Sequence, residues 1–144
     1  MTRTAGYSGK SLRVKLGLKE RARVVALGAP REYRRLLRPI PHGVSFTTRL
    51  PKSAAFVHWF VRSRRELERG FGRVATALAD TGVLWISWPK KSSGVSSDVT
   101  EDVLREVGLP HGLVDVKVCA VDNTWSGLKF VRRMENRRRA DVTA

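Results

Sequence analysis

The stretch between residues 54 and 88 most narrows the folds open to this chain. Ala54–Val61 (AAFVHWFV) is an unbroken apolar run of strand length. It leads straight into Ser63-Arg64-Arg65-Glu66, a capping box in which Ser and Glu side chains serve each other's unpaired backbone donors. The helix started there carries Leu67, Phe71, Val74, Ala75 and Leu78 at i, i+4, i+7, i+8 and i+11, one apolar stripe for packing on a sheet. Gly70 and Gly72 interrupt it at about 1 kcal/mol each relative to Ala, which predicts a kink or a close approach there. Gly82 is expected to end the helix and open Val83–Trp88 (VLWISW) as a further strand. Strand, amphipathic helix and strand in succession describe a parallel unit with a right-handed crossover.

The flanking segments extend the same alternation. Ser11–Leu18 predicts a short helix closed by Gly17 in a left-handed cap with Leu18 as its hydrophobic contact. Ala22–Ala29 is a compact apolar run suited to a strand buried on both faces, and Val44–Leu50 reads as the next. Between them Pro30 opens a helical segment, Arg31–Leu37, that must stop at Arg38-Pro39. Asp98, with Glu101 three residues on, predicts the cap of a helix that packs through Val99, Val103, Leu104 and Val107 and ends at Gly108. In Leu113–Val121 the alternation puts Val114, Val116, Val118 and Ala120 on a drier face. A turn at Asp122–Ser126 then returns the chain along Gly127–Arg132, with Leu128 and Phe130 on one side. The expected fold is α/β: a single doubly wound, mostly parallel Rossmann-like sheet ending in an antiparallel hairpin. One domain over residues 11–134 is expected, between a flexible segment at 1–10 and a basic tail at 135–144.

Charge is unevenly placed. Of 28 Lys and Arg, 17 fall in residues 1–72, together with only 4 of the 13 acids, so the first half carries nearly all of the net charge of +15. Arg outnumbers Lys 20 to 8, and guanidinium is the better fork for phosphate oxygens. Nucleic acid, a ribonucleoprotein or a phosphorylated small molecule is the partner class this suggests, although a solvated cationic face needs no ligand. Arg31, Arg34, Arg35 and Arg38 stand at i, i+3, i+4 and i+7, which on one helix would align four guanidiniums as a polyanion-binding stripe. Apolar stretches break within about ten residues, short of the ~20 a bilayer span needs. With no apolar stretch behind the first charges, the expected compartment is the cytoplasm.

The motifs carry a resemblance. A doubly wound sheet closed by an antiparallel pair, with a small Gly-containing turn in Ala79–Trp88, resembles a shortened class I S-adenosylmethionine-dependent methyltransferase core. More specifically, Ala5–Lys10 (AGYSGK), Leu27–Pro30 (LGAP), Val61–Arg64 (VRSR), Trp88–Gly94 (WPKKSSG), Thr100–Asp102 (TED), Asp115–Asp122 (DVKVCAVD) and Trp125–Phe130 (WSGLKF) resemble a small bacterial family of unknown function built on a degenerate form of that core. The match covers residues 5–133. It implies the fold and leaves the activity open between a methyltransferase, active or relic, and an accessory protein.

Ligands of open α/β sheets sit beyond the carboxyl ends of the strands. The residues expected there are Gly28 after the first strand, Arg62, Ser63 and Arg64 after the third, and Trp88, Lys90, Lys91, Ser92 and Gly94 after the fourth. Together they suggest an anion held by the start of the Ser63-capped helix and by four cations. The methyltransferase pattern wants an acid near the end of the first strand, a glycine-rich loop and a second acid ending the second strand. This chain has Leu27-Gly28-Ala29-Pro30 and Thr47-Thr48-Arg49 instead. No cofactor is therefore expected, and the leading reading is a non-catalytic binding protein with a basic face. Methyl transfer is the alternative, and a protein-interaction module using Trp88 and Trp125 at strand ends is a further one. His42, His58 and His111 lack metal-ligand spacing, His58 reads as a hydrogen-bonded core residue, and Cys119 as an unpaired thiol in a strand. No catalytic residue and no metal ligand is assigned.

Overall fold

A computed structural model describes residues 10–136. Of the expected basic tail at 135–144, residues 137–144 lie outside the described residues, as do residues 1–9 of the expected N-terminal segment. The chain runs α1 (Leu12–Leu16), β1 (Arg23–Leu27), α2 (Tyr33–Leu36), β2 (Ser45–Thr47), β3 (Ala54–Phe60), α3 (Arg64–Ala77), β4 (Leu78–Pro89), α4 (Glu101–Gly108), β5 (Leu113–Ala120) and β6 (Trp125–Arg132). These strands form one six-stranded sheet of order β2-β1-β3-β4-β6-β5. The first four are parallel, and β6 and β5 add an antiparallel pair at one side. This is the mixed α/β, Rossmann-like sheet with a closing hairpin that the apolar pattern predicted.

Side chains alternate across the sheet and build a core on each face. On one face Val57 and Trp59 of β3, Val61 just after it, and Leu84, Ile86 and Trp88 of β4 meet Leu67, Phe71 and Val74 of α3 and Leu104 of α4. On the other, Phe56, Phe60 and Trp85 meet Leu12 and Leu16 of α1 and Tyr33 of α2. Five residues make too short a helix to persist alone. α1 is held by Gly17 in the left-handed conformation at φ 73°, as predicted, and by the Trp85 indole N–H, which donates to Leu16 O at 3.1 Å. Gly70 is the predicted close approach, since a Cβ there would stand 2.8 Å from the Trp59 ring.

Local expectations fail where tertiary partners intervene. β4 begins at Leu78, directly after the helix, and Gly82 lies inside it where a Cβ would be 2.7 Å from Ala54 O. The carbonyls at the end of α3 are served by Arg132, whose guanidinium donates to Ala75 O and Leu78 O, so no glycine cap is needed. Thr100, not Asp98, caps α4, accepting from Val103 N–H at 3.2 Å. β2 is shortened to three residues because as an edge strand it pairs only with β1. The drier face expected of β5 is absent: Val116 and Val118 are 54% and 48% exposed, because β5 is the other edge and its register shifts between Asp115 and Lys117. Among the described residues no helix is long and apolar enough to cross a membrane.

Candidate functional site

The strand order reverses at β1, which has β2 on one side and β3 on the other, and such a reversal opens a crevice at the carboxyl edge. Gly28 stands at that point with φ +66°, and a Cβ on it would meet Phe60 O at 2.8 Å. Only glycine combines the left-handed backbone with so near a neighbouring strand. Arg62 leans across the crevice, its Nη1 3.5 Å from Gly28 O and its guanidinium 4.9 Å from the Trp125 ring centroid. Beside it, beyond the ends of β1 and β2, lies a cleft of about 660 Å³ whose walls include Gly28, Tyr33, Phe46, Thr47, Thr48 and Arg49.

A buried polar network backs this cleft. Tyr33 Oη lies 2.9 Å from His58 Nδ1, and Ser87 Oγ lies 2.7 Å from His58 Nε2. Burial pushes the His58 pKa down to about 3, so the ring is neutral at physiological pH. Burial also raises the Tyr33 phenol above its ordinary value. A neutral imidazole has one donor and one acceptor nitrogen, and two hydroxyls satisfy either tautomer. His58 is thus the hydrogen-bonded core residue expected of it.

The anion site predicted at the start of α3 is corrected by its neighbours. Ser63 Oγ accepts from Glu66 N–H at 3.1 Å, and Asp98 Oδ1 accepts from Arg64 N–H at 2.7 Å. Glu66 reaches back one residue further than a capping box requires and accepts from Arg62 N–H at 2.9 Å. Carboxylates of the chain itself therefore occupy the positive end of the helix. Arg64 pairs with Glu68 at 2.8 Å and Glu106 at 3.0 Å, which also raise its pKa. Trp88 is 7% exposed and Trp125 5%, both packed in the cores, so neither indole faces solvent as the interaction-module reading required.

The remaining candidates are dispersed. Lys91 and Ser92 lie exposed in a short 3-10 turn closed by Gly94 at φ 80°, while Gly28 and Lys90 line different clefts. The arginine stripe is corrected too: α2 spans only Tyr33–Leu36, so Arg31 and Arg38 fall outside it. All four arginines are exposed, and Arg31 and Arg34 line the cleft, with Arg34 lying 4.6 Å over Phe46. Phe46 was not singled out in the sequence. Tyr33, expected from the sequence to pack inward with Leu36 and Leu37 rather than to stack on a base, is 4% exposed and does so. No three His, Cys, Asp or Glu side chains among the described residues gather as metal ligands.

No family model matches the sequence, and no curated protein does. The fold is shared with solved structures. A Sulfolobus solfataricus protein classed with the type 11 methyltransferases superposes at TM-score 0.60 and 13% identity, over 95% of this chain and 98% of that one. DhpI, solved as a complex with S-adenosylhomocysteine, matches at 0.54 and 12% identity over 86% of this chain and 83% of its own. LepI, solved with S-adenosylmethionine and with S-adenosylhomocysteine, matches at 0.51 and 14% identity, over 85% of this chain and 39% of its own. The expectation of no cofactor is overturned by DhpI and LepI, which are solved with S-adenosylmethionine or S-adenosylhomocysteine.

Proposed function

We propose that the chain binds S-adenosylmethionine in the cleft beyond β1 and β2 and acts as a methyltransferase of the class I fold. The observation that carries this reading is the agreement in fold along nearly the whole of both chains with the Sulfolobus protein. One fold hosts many activities, so the site must supply the rest. A cleft of about 660 Å³ is of the size that takes a ligand like this cofactor, and Gly28 leaves bare backbone at its inner end. No carboxylate is among the lining residues. The ribose hydroxyls therefore fall to the Thr47 and Thr48 hydroxyls, which both donate and accept. The Arg49 guanidinium suits the cofactor's α-carboxylate. When bound, the cofactor supplies a methyl group activated on a sulfonium. Tyr33 and Phe46 form the apolar wall that keeps water from that side of the cleft.

Calorimetric titration with S-adenosylhomocysteine at physiological salt tests the reading. Micromolar binding is expected. Thr48→Val, a change at an exposed position, removes a net hydrogen bond of about 0.5–1.5 kcal/mol and so weakens binding roughly twofold to twelvefold. Absence of binding by the native chain, or unchanged affinity in the variant, overturns the assignment of the cofactor or of the cleft respectively.

A further inference from the structure

Helix α3 carries arginines on two flanks, and they meet different surroundings. On the flank toward α4, Arg64 pairs with Glu68 and Glu106. Arg65, Arg69 and Arg73 stand at i, i+4 and i+8 and are all exposed. Among the described residues no ion pair or side-chain hydrogen bond engages their guanidiniums. The three line one groove of about 550 Å³, whose walls include Trp59, Ser63 and Glu66 but no residue of α4. Glu66 is the one acid among its lining residues, and its Oε1 accepts from Arg62 N–H at 2.9 Å. Like charges four residues apart repel on a helix, and an anion laid along them relieves that repulsion.

We propose that this groove binds a single strand of nucleic acid by its phosphodiester backbone, with Arg65, Arg69 and Arg73 each on one phosphate. Four residues of an α-helix advance about 6 Å along its axis, which is close to the interval between successive phosphates of one strand. The row drifts round the helix by only ~40° at each step, which the long arginine side chains absorb. Guanidinium presents a planar fork to phosphate oxygens. A concavity of this volume takes part of one strand and is too small for a duplex. An anionic lipid surface fits less well, because a helix that lies on a membrane buries apolar side chains in it. Among the described residues the exposed large hydrophobics, Val14, Val95, Val116, Val118 and Met134, all lie off α3. None of the groove residues lines the cofactor cleft, so failure of S-adenosylhomocysteine to bind would leave the strand site standing.

Fluorescence anisotropy of a labelled single-stranded RNA of mixed sequence, titrated with the full chain at several salt concentrations, tests this. A chain of net charge +15 attracts any polyanion, so the decisive comparison is between two triple variants of equal charge. One combines Arg65→Gln, Arg69→Gln and Arg73→Gln, and Gln keeps a helix propensity close to that of Arg. The other combines Lys19→Gln, Arg23→Gln and Lys91→Gln, three exposed cations away from α3. The α3 variant is expected to bind roughly tenfold more weakly at physiological salt. Its slope of log K against log salt should be shallower by about 2, since each phosphate contact on a single strand contributes about 0.7. Arg69→Gln alone should reduce the slope by about 0.7, and the second triple variant should keep the slope of the native chain. Equal slopes in the two triple variants, tighter binding of a duplex of the same sequence, or α3-dependent binding to vesicles of anionic phospholipid with none to the RNA overturns the proposal.

Discussion

Acidification from pH 7 to pH 5 is expected to remove roughly 2 kcal/mol of folding stability through His58 alone. In the folded chain burial holds this imidazole near a pKa of 3, whereas in the unfolded chain it returns to about 6.5. Below pH 6.5 the unfolded state takes up a proton that the folded state refuses. Stability attributable to the group is therefore fully present above the unfolded pKa and falls by about 1.4 kcal/mol for each unit as pH drops toward 3. Denaturant titrations at pH 7 and pH 5 on the native chain and on His58→Gln check this. The variant keeps a donor and an acceptor for Tyr33 and Ser87 but cannot titrate, so its stability should depend less on pH by that amount. Equal pH dependence in the two chains would show that His58 is not the buried neutral group the network makes it.

Trp85→Ala is expected to cost about 3–5 kcal/mol, the range for emptying an aromatic site in a packed core. Trp85 is fully buried, and its indole N–H is what ties the last turn of α1 to the sheet. Trp85→Phe separates the two contributions. It retains most of the ring volume but leaves Leu16 O without this donor, at about 1–3 kcal/mol. Amide exchange in α1 should rise in that variant more than exchange in α3, because α3 is held by its own cap and by the opposite core. Global unfolding free energies and site-resolved exchange together check the point, and an unaltered α1 exchange rate in Trp85→Phe would remove the indole as its anchor.

The alternation of strands and amphipathic helices was legible because it is written at short range. Leu67, Phe71 and Val74 share a face by helical period alone, and Ser63 caps α3 through a bond to a residue three positions away. Gly17 likewise needs only its own left-handed backbone. Of the cleft proposed for the cofactor, Gly28 and the Thr47-Thr48-Arg49 stretch could be placed in advance, because both stand at the carboxyl ends of predicted strands. Tyr33 and Phe46 enter it through packing across the sheet.

The sequence by itself determined the elements, the stripes they bury and the parallel sheet closed by a hairpin, since periodicity and caps act within a few residues. Tertiary structure alone decided which of the predicted charges remain available to a ligand. Asp98 caps α3 from 34 residues away, and Trp88 turns into the core. Val116 and Val118 face solvent because β5 is an edge. Lys15 and Lys117, 102 residues apart, meet only because the order β4-β6-β5 brings the hairpin beneath α1. Electrostatics and burial depend on distance through space, and a linear pattern does not contain that distance until the strand order is set.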